Sequence, residues 1–131
     1  MSEQQSEAQK QILVADDDPA ILRLVKVVVE KEGYTVVSAR DGKEAYKLLQ
    51  SGEMFSAAIF DVVMPYIQGT ELVRYMQSEK RFMKIPVIMM TAEQNSKLSS
   101  ESFSAGAVAF LPKPFTGSQL QTMLRMFAQK D

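Results

Sequence analysis

Five short apolar runs, each followed by polar or charged residues, constrain this chain more than any other feature. They read QILVA (Gln11–Ala15), YTVVSA (Tyr34–Ala39), AAIF (Ala57–Phe60), PVIMM (Pro86–Met90) and VAFL (Val108–Leu111). Ala57–Phe60 is unbroken and carries no helical period, which suits a strand covered on both faces, as in the middle of a parallel sheet, and QILVA likewise reads as a buried strand. Between them lie segments whose apolar residues recur three and four apart. Strands alternating with helices predict a parallel sheet with right-handed crossovers and helices on both faces, an α/β three-layer sandwich.

The helical segments carry their own punctuation. A first helix is predicted from Pro19 to about Glu32, with Asp18 as N-cap, Gly33 as its stop, and Ile21, Leu24, Val25 and Val28 as the core stripe. Asp41, with Glu44 three residues later, makes a capping-box-like start for a second helix that ends near Ser51 and Gly52 and turns Ala45, Leu48 and Leu49 inward. Thr70 to Ser78 gives a third, burying Leu72, Val73 and Met76. The segment Gln94–Ala105 has only Leu98, Phe103 and Ala105 as anchors among five serines, so it is expected to be the least firmly held helix. Thr116 or Gly117 opens the last, with Leu120, Met123, Leu124 and Phe127 on its inner face. The nine methionines read as core filling. Residues 1–10 are polar and read as a disordered leader ahead of one domain over residues 11–131.

Composition acts by exclusion. Cysteine is absent, which removes disulfides, thiolate metal ligands and cysteine nucleophiles. Histidine is absent too, which excludes Ser-His-Asp catalysis, imidazole metal sites and a phosphohistidine on this chain. With 46% hydrophobic and 24% charged residues and a net charge of -1, the chain has neither the signature of disorder nor the basic footprint of a nucleic-acid binder. No apolar run approaches the ~20 residues that span a bilayer, and the N-terminus lacks the apolar core of a signal peptide, so a cytoplasmic location is expected.

In open α/β sheets ligands bind outside the carboxyl ends of the strands, and there this sequence concentrates its chemistry. Asp16 and Asp17 follow the first predicted strand, Asp61 the third, Thr91 the fourth and Lys113 the fifth. Singly, each has an ordinary reading: Asp61 a turn cap, Thr91 a helix cap, Lys113 a solvated charge. Jointly, the acids form a seat for a hard, oxygen-liking cation such as Mg²⁺, beside a lysine and a hydroxyl. That is equipment for moving a phosphoryl group, because metal and lysine neutralise its oxygens and the hydroxyl donates a hydrogen bond. With no histidine available, a carboxylate is the natural acceptor, giving an aspartyl phosphate.

The motifs ILVADDD, IFDVVMP, MMTAE and FLPKPF, in this order and spacing, resemble the receiver domain of bacterial two-component response regulators, in particular the stand-alone chemotaxis type. The resemblance runs from Gln11 to the C-terminus. It implies a flavodoxin-like (βα)5 fold with strand order 2-1-3-4-5 and Asp61 as phosphoacceptor. It implies Mg²⁺ bound directly by Asp17, Asp61 and the Val63 carbonyl, with Asp16 acting through metal-bound water. Lys113 and Thr91 would contact the phosphoryl group, a cis peptide bond would join Lys113 to Pro114, and Phe110 would be the switch aromatic coupled to Thr91. The partners implied are a histidine kinase or histidine phosphotransfer protein as donor, and a downstream protein that reads the fourth helix, fifth strand and last helix. The same resemblance implies a monomer able to dimerise on phosphorylation, and a switch rather than a conventional turnover enzyme. Val63 and Glu93, two residues past Asp61 and Thr91, hold positions that influence phosphate lifetime in the family.

Two other readings exist. Asp16 and Asp18 also make the D-x-D pattern of haloacid-dehalogenase-like phosphatases, with Asp16 as nucleophile, although Asp61 is then left without a role. A degenerate receiver would serve only as a docking module, a reading that absence of Mg²⁺ binding would favour.

Overall fold

The computed structural model describes residues 10–93 and 96–128. The predicted leader apart from Lys10, and Gln94 and Asn95 of the predicted fourth helix, lie outside the described residues, as do residues 129–131. Strands and helices alternate throughout: β1 (Gln11–Ala15), α1 (Pro19–Lys31), β2 (Thr35–Ala39), α2 (Gly42–Gln50), β3 (Ala57–Asp61), α3 (Gly69–Gln77), β4 (Val87–Thr91), α4 (Ser96–Ala105), β5 (Ala109–Pro112) and α5 (Gly117–Phe127). The strands form one parallel sheet in the order β2-β1-β3-β4-β5, as the sequence and its resemblance predict. No helix among the described residues is long and apolar enough to cross a membrane.

Alternation along the strands splits the core into two layers. Leu13, Phe60 and Met89 face Leu49, Leu72, Met76 and Phe82, under α2, α3 and α4. Ile12, Val14, Ile59 and Ile88 face Val25, Val29, Leu120 and Leu124, under α1 and α5. β3 and β4 are buried at every position, whereas β2, at the edge, buries only Ala39. Each fully buried side chain of this size contributes about 1.5–3 kcal/mol relative to exposure, which fixes the register of the sheet.

The helix starts follow their side chains. Asp18 Oδ1 accepts from the Ala20 N–H at 2.9 Å with Pro19 at the first helical position, and Asp41 Oδ1 accepts from the Glu44 N–H at 2.8 Å. Thr116 and Gln119 exchange hydrogen bonds in a full capping box, each cap of this kind stabilising its helix by about 1 kcal/mol. Gly33, at φ +93°, terminates α1 in a conformation that favours glycine.

Several expectations are corrected. Leu24 is exposed, and Val29 takes the inward place with Val25, because apolar residues at Leu24, Val25, Val27, Val28 and Val29 leave the helical phase ambiguous until the sheet selects one face. In α4 Phe103 is 48% exposed and does not anchor the helix, while Ser102 is buried, its hydroxyl donating to the Leu98 carbonyl at 2.8 Å. A serine that satisfies itself within its own helix lets α4 approach the sheet. Met64, Met76, Met89 and Met90 fill the core, but Met54, Met83 and Met126 are exposed. β4 and β5 each sit one residue later than predicted, because Thr91 pairs with Pro112 as the last rung of their ladder. Tyr34, expected to begin β2, lies just before it and is buried.

Candidate functional site

Parallel pairing brings the carboxyl ends of β1, β3, β4 and β5 to one edge of the sheet, with Ala15 opposite Phe60, Asp61 opposite Met90 and Thr91 opposite Pro112. Backbone hydrogen bonds continue one step past the ladder: Asp16 N–H to the Ala39 carbonyl (3.1 Å), Val62 N–H to Met90 (2.9 Å) and Lys113 N–H to Thr91 (2.8 Å). The candidate residues Asp16, Asp61 and Lys113 are therefore held by the sheet itself. The peptide bond between Lys113 and Pro114 is cis.

One carboxylate oxygen from each of Asp16, Asp17 and Asp61 lies within 4.8 Å of the other two. Asp16 and Asp61 are buried, while Asp17 is exposed at the mouth. Lys113 Nζ stands 2.7 Å from Asp16 Oδ2 and 3.5 Å from Asp61 Oδ2. The other oxygen of Asp16 accepts from the Asp18 N–H at 2.9 Å. Both oxygens of Asp16 are thus engaged, a structural duty that its position in the acidic run does not reveal.

Burial pushes the Asp61 carboxyl from 3.8 up to about 6, and the negative charge of Asp16 adds to the rise against the opposing charge of Lys113. Burial raises Asp16 as well, opposed by its hydrogen bonds from Lys113 and the Asp18 N–H. Burial acts to lower the Lys113 ammonium, but the hydrogen bond to Asp16 and the charge of Asp61 overcome it and hold the group above its usual range. Three carboxylates against one ammonium leave the pocket short of positive charge at neutral pH, and its donors are all oxygen, which fits a hard divalent cation.

The remaining predicted residues lie around this cluster. Thr91 is buried at the end of β4, beside β3, and its hydroxyl oxygen accepts from the Glu93 N–H at 3.2 Å. Val63 and Glu93 are both exposed. Phe110 stands apart from the acids, half-buried in β5, where it lines an apolar groove with Phe103, Pro112, Met123, Met126 and Phe127.

Sequence reasoning missed Gly69. It begins α3 with its N–H donating to the Val62 carbonyl at 2.9 Å, and a Cβ there would overlap the Asp61 carbonyl oxygen and lie 2.7 Å from Met89 Cε. Only glycine lets α3 start this close to the end of β3. With the helix predicted to start at Thr70, Gly69 falls in the preceding loop, where a glycine is ordinary, so local pattern gives no signal of this contact.

A family model described as the response regulator receiver domain matches residues 12–125. The chain belongs to this family. Among curated relatives of this receiver domain, the chemotaxis protein CheY1 of Helicobacter pylori is 33% identical over 116 residues, 88% of this chain and 94% of that protein. The response regulator GtcR of Aneurinibacillus migulanus is 33% identical over 120 residues, 92% of this chain but 47% of that protein. The chain spans about half the length of several of the curated relatives it matches. Among solved structures, the chemotaxis response regulator CheY4 of Vibrio cholerae superposes with a TM-score of 0.83 at 29% identity, covering 91% of this chain and 98% of that one. Receiver domains of this family serve phosphorylation-based two-component signalling. Membership displaces the phosphatase reading.

Proposed function

We propose that this receiver domain is a phosphorylation-activated switch that accepts a phosphoryl group onto Asp61 from a phosphohistidine of a partner kinase or phosphotransfer protein. The carrying observation is the placement of Asp61, a buried carboxylate amid the acid cluster, with Lys113 3.5 Å away and firmly bonded elsewhere. Without metal this carboxyl, raised by burial to about 6, is ionised at neutral pH, as an acceptor oxygen must be. In the transfer, one Asp61 oxygen forms a bond to phosphorus as the P–N bond of the donor breaks, and the electron pair leaves with the imidazole nitrogen. The donor histidine belongs to the partner, since this chain has none.

Asp17 and Asp61, with the Val63 carbonyl, would hold Mg²⁺, and Asp16, its oxygens already engaged, would act through a bound water. When bound, Mg²⁺ supplies positive charge beside the incoming phosphoryl oxygens and relieves the carboxylate excess. Lys113 neutralises another phosphoryl oxygen, and the Thr91 hydroxyl turns from the Glu93 N–H to donate to the phosphoryl group. Its movement vacates space that Phe110 fills, reshaping the apolar groove of α4, β5 and α5 as the surface a downstream protein reads, or a second copy on dimerisation. Residues 11–131 act as one cytoplasmic receiver unit behind the leader 1–10. The exposure of Phe103, which leaves α4 with few buried apolar anchors, supports a helix held loosely enough to move.

Incubation with Mg²⁺ and acetyl phosphate should add one phosphoryl group, located on Asp61 by peptide mass analysis, and none to Asp61→Asn. Equal labelling of the variant would overturn the assignment. A parent that binds no Mg²⁺ would favour a docking module.

A further inference from the structure

After β3 the chain runs through residues 62–68 before entering α3, and this loop contains Val63, whose carbonyl is a proposed Mg²⁺ ligand. The loop is fastened on the side of the sheet by the Val62 N–H to Met90 carbonyl bond and the Gly69 N–H to Val62 carbonyl bond, both 2.9 Å. Within it the Ile67 N–H donates to the Pro65 carbonyl at 2.9 Å, and Tyr66 is held at φ +72°, a left-handed conformation that costs a non-glycine residue about 1 kcal/mol or more. Such a conformation persists only where neighbours over-determine it.

The opposing neighbour is the first turn of α2. Gly42, its first residue, is buried, and a Cβ built on it would overlap the Ile67 carbonyl oxygen, 2.6 Å from the carbonyl carbon and 2.8 Å from the Ile67 Cβ. That turn cannot easily retreat. Its N-cap is Asp41, the Glu44 carboxylate accepts from the Arg40 N–H at 2.7 Å, and Ala45 and Leu49 are packed in the core. Lys43, the next residue, places its ammonium 5.7 Å from the centre of the Tyr66 ring.

We infer that Gly42 is a positioning residue for the metal-binding loop: by presenting no side chain to Ile67 it sets how far residues 62–68 fold back, and so where the Val63 carbonyl lies relative to Asp61. This rests on the proposed reading of the acid cluster as a Mg²⁺ site. Gly42 touches neither phosphoryl group nor metal. It acts through Ile67, and it makes the connection after β2 a determinant of metal affinity.

The test is Gly42→Ala, with Gly52→Ala as the control. Gly52, at the other end of α2, has φ +93° and nothing within 4 Å of the place an added methyl would take, so its substitution strains the backbone without touching the loop. Gly42→Ala should raise the Mg²⁺ concentration for half-maximal labelling by about 10-fold or more, the range seen when groups that orient metal ligands are altered. Its labelling rate at saturating Mg²⁺ should change much less, and calorimetric Mg²⁺ affinity should fall in parallel. In the metal-free variant the amides of residues 62–69 should exchange faster than in the parent. Gly52→Ala should lower the melting temperature and leave Mg²⁺ affinity unchanged. If Gly42→Ala does not fold, Gly42→Ala/Tyr66→Gly gives the loop freedom to route around the methyl, and its Mg²⁺ half-saturation should exceed that of Tyr66→Gly alone. Parent-like Mg²⁺ affinity in Gly42→Ala, equal weakening in Gly52→Ala, or equal values in that last pair would overturn the inference while a labelled Asp61 in the parent keeps the underlying reading intact. A parent that binds no Mg²⁺ would overturn both.

Discussion

Lys113 makes its short contact, 2.7 Å, to Asp16 and its long one, 3.5 Å, to Asp61. The ammonium is anchored on a carboxylate that is not the proposed acceptor, and its contact with Asp61 is the weaker of the two. Burial holds the Asp61 carboxyl high, the negative charge of Asp16 adds to the rise, and the more distant Lys113 opposes it only in part.

The first prediction is a pH dependence of stability. The folded Asp61 titrates at about 6 against 3.8 for the free group, so between those values the native state binds more protons than the unfolded one. The stability contributed by that proton is fully present below 3.8, is lost as pH rises to about 6, and amounts to something on the order of 3 kcal/mol. Asp16, also raised, acts in the same direction. Metal-free protein should therefore resist urea better at the acidic end of this window than at neutral pH. Asp61→Asn should flatten that slope and melt higher than the parent at neutral pH. A parent with no slope, or a variant less stable at neutral pH, would contradict the prediction.

The second concerns Asp17, the exposed member of the cluster. Its charge helps to raise both Asp16 and Asp61, yet it packs against little, so Asp17→Asn removes repulsion at small structural cost. Metal-free Asp17→Asn should be at least as stable as the parent, within the roughly 0.5 kcal/mol typical of surface changes. Its Mg²⁺ affinity should fall by about tenfold or more, because a hard cation needs several oxygen ligands. Calorimetric titration and thermal melting of the same samples check both halves, and a lower melting point without metal would count against a crowded acidic pocket.

The third follows the route from Thr91 to Phe110. Thr91→Ala should still accept phosphate on Asp61 but transmit it poorly, since the hydroxyl that would move is gone. Amide exchange over α4 and β5, with and without a beryllofluoride mimic, reads this directly. The parent should show altered protection and Thr91→Ala a diminished change. An undiminished change in the variant would remove Thr91 from the route.

Much of this architecture is legible from residues whose surroundings matter little. Asp18 with Pro19, Asp41 with Glu44, and Gly33 mark helix ends through bonds made within a few positions. The acids stand out because Asp61 interrupts an apolar run and Asp16 and Asp17 close one, and a parallel sheet then has only one edge at which to gather them. What stayed hidden depends on the opposing element. Leu24 and Val29 differ in burial only because the sheet selects one face of α1. The exposure of Phe103 beside buried Ser102 follows from how α4 leans on its neighbours, and the contact of Gly42 with Ile67 joins two connections that local pattern treats separately. Asp16 is the clearest case: its identity advertises chemistry, while its partners, Lys113 and the Asp18 N–H, give it a load in the fold as well.

The alternation of the two core layers also guards the proposed acceptor carboxylate against slippage. Phe60, next to Asp61, belongs to one layer, and Ile59 to the other. A deletion or a shifted pairing in β3 that moved Asp61 by one position would turn its carboxylate toward the opposite face and force Phe60 into space shaped for an aliphatic chain. Loss of the site by this path cannot be silent, because it brings a melting defect with it. Residues with no chemistry of their own thereby act as a proofreader for the placement of the one that has it.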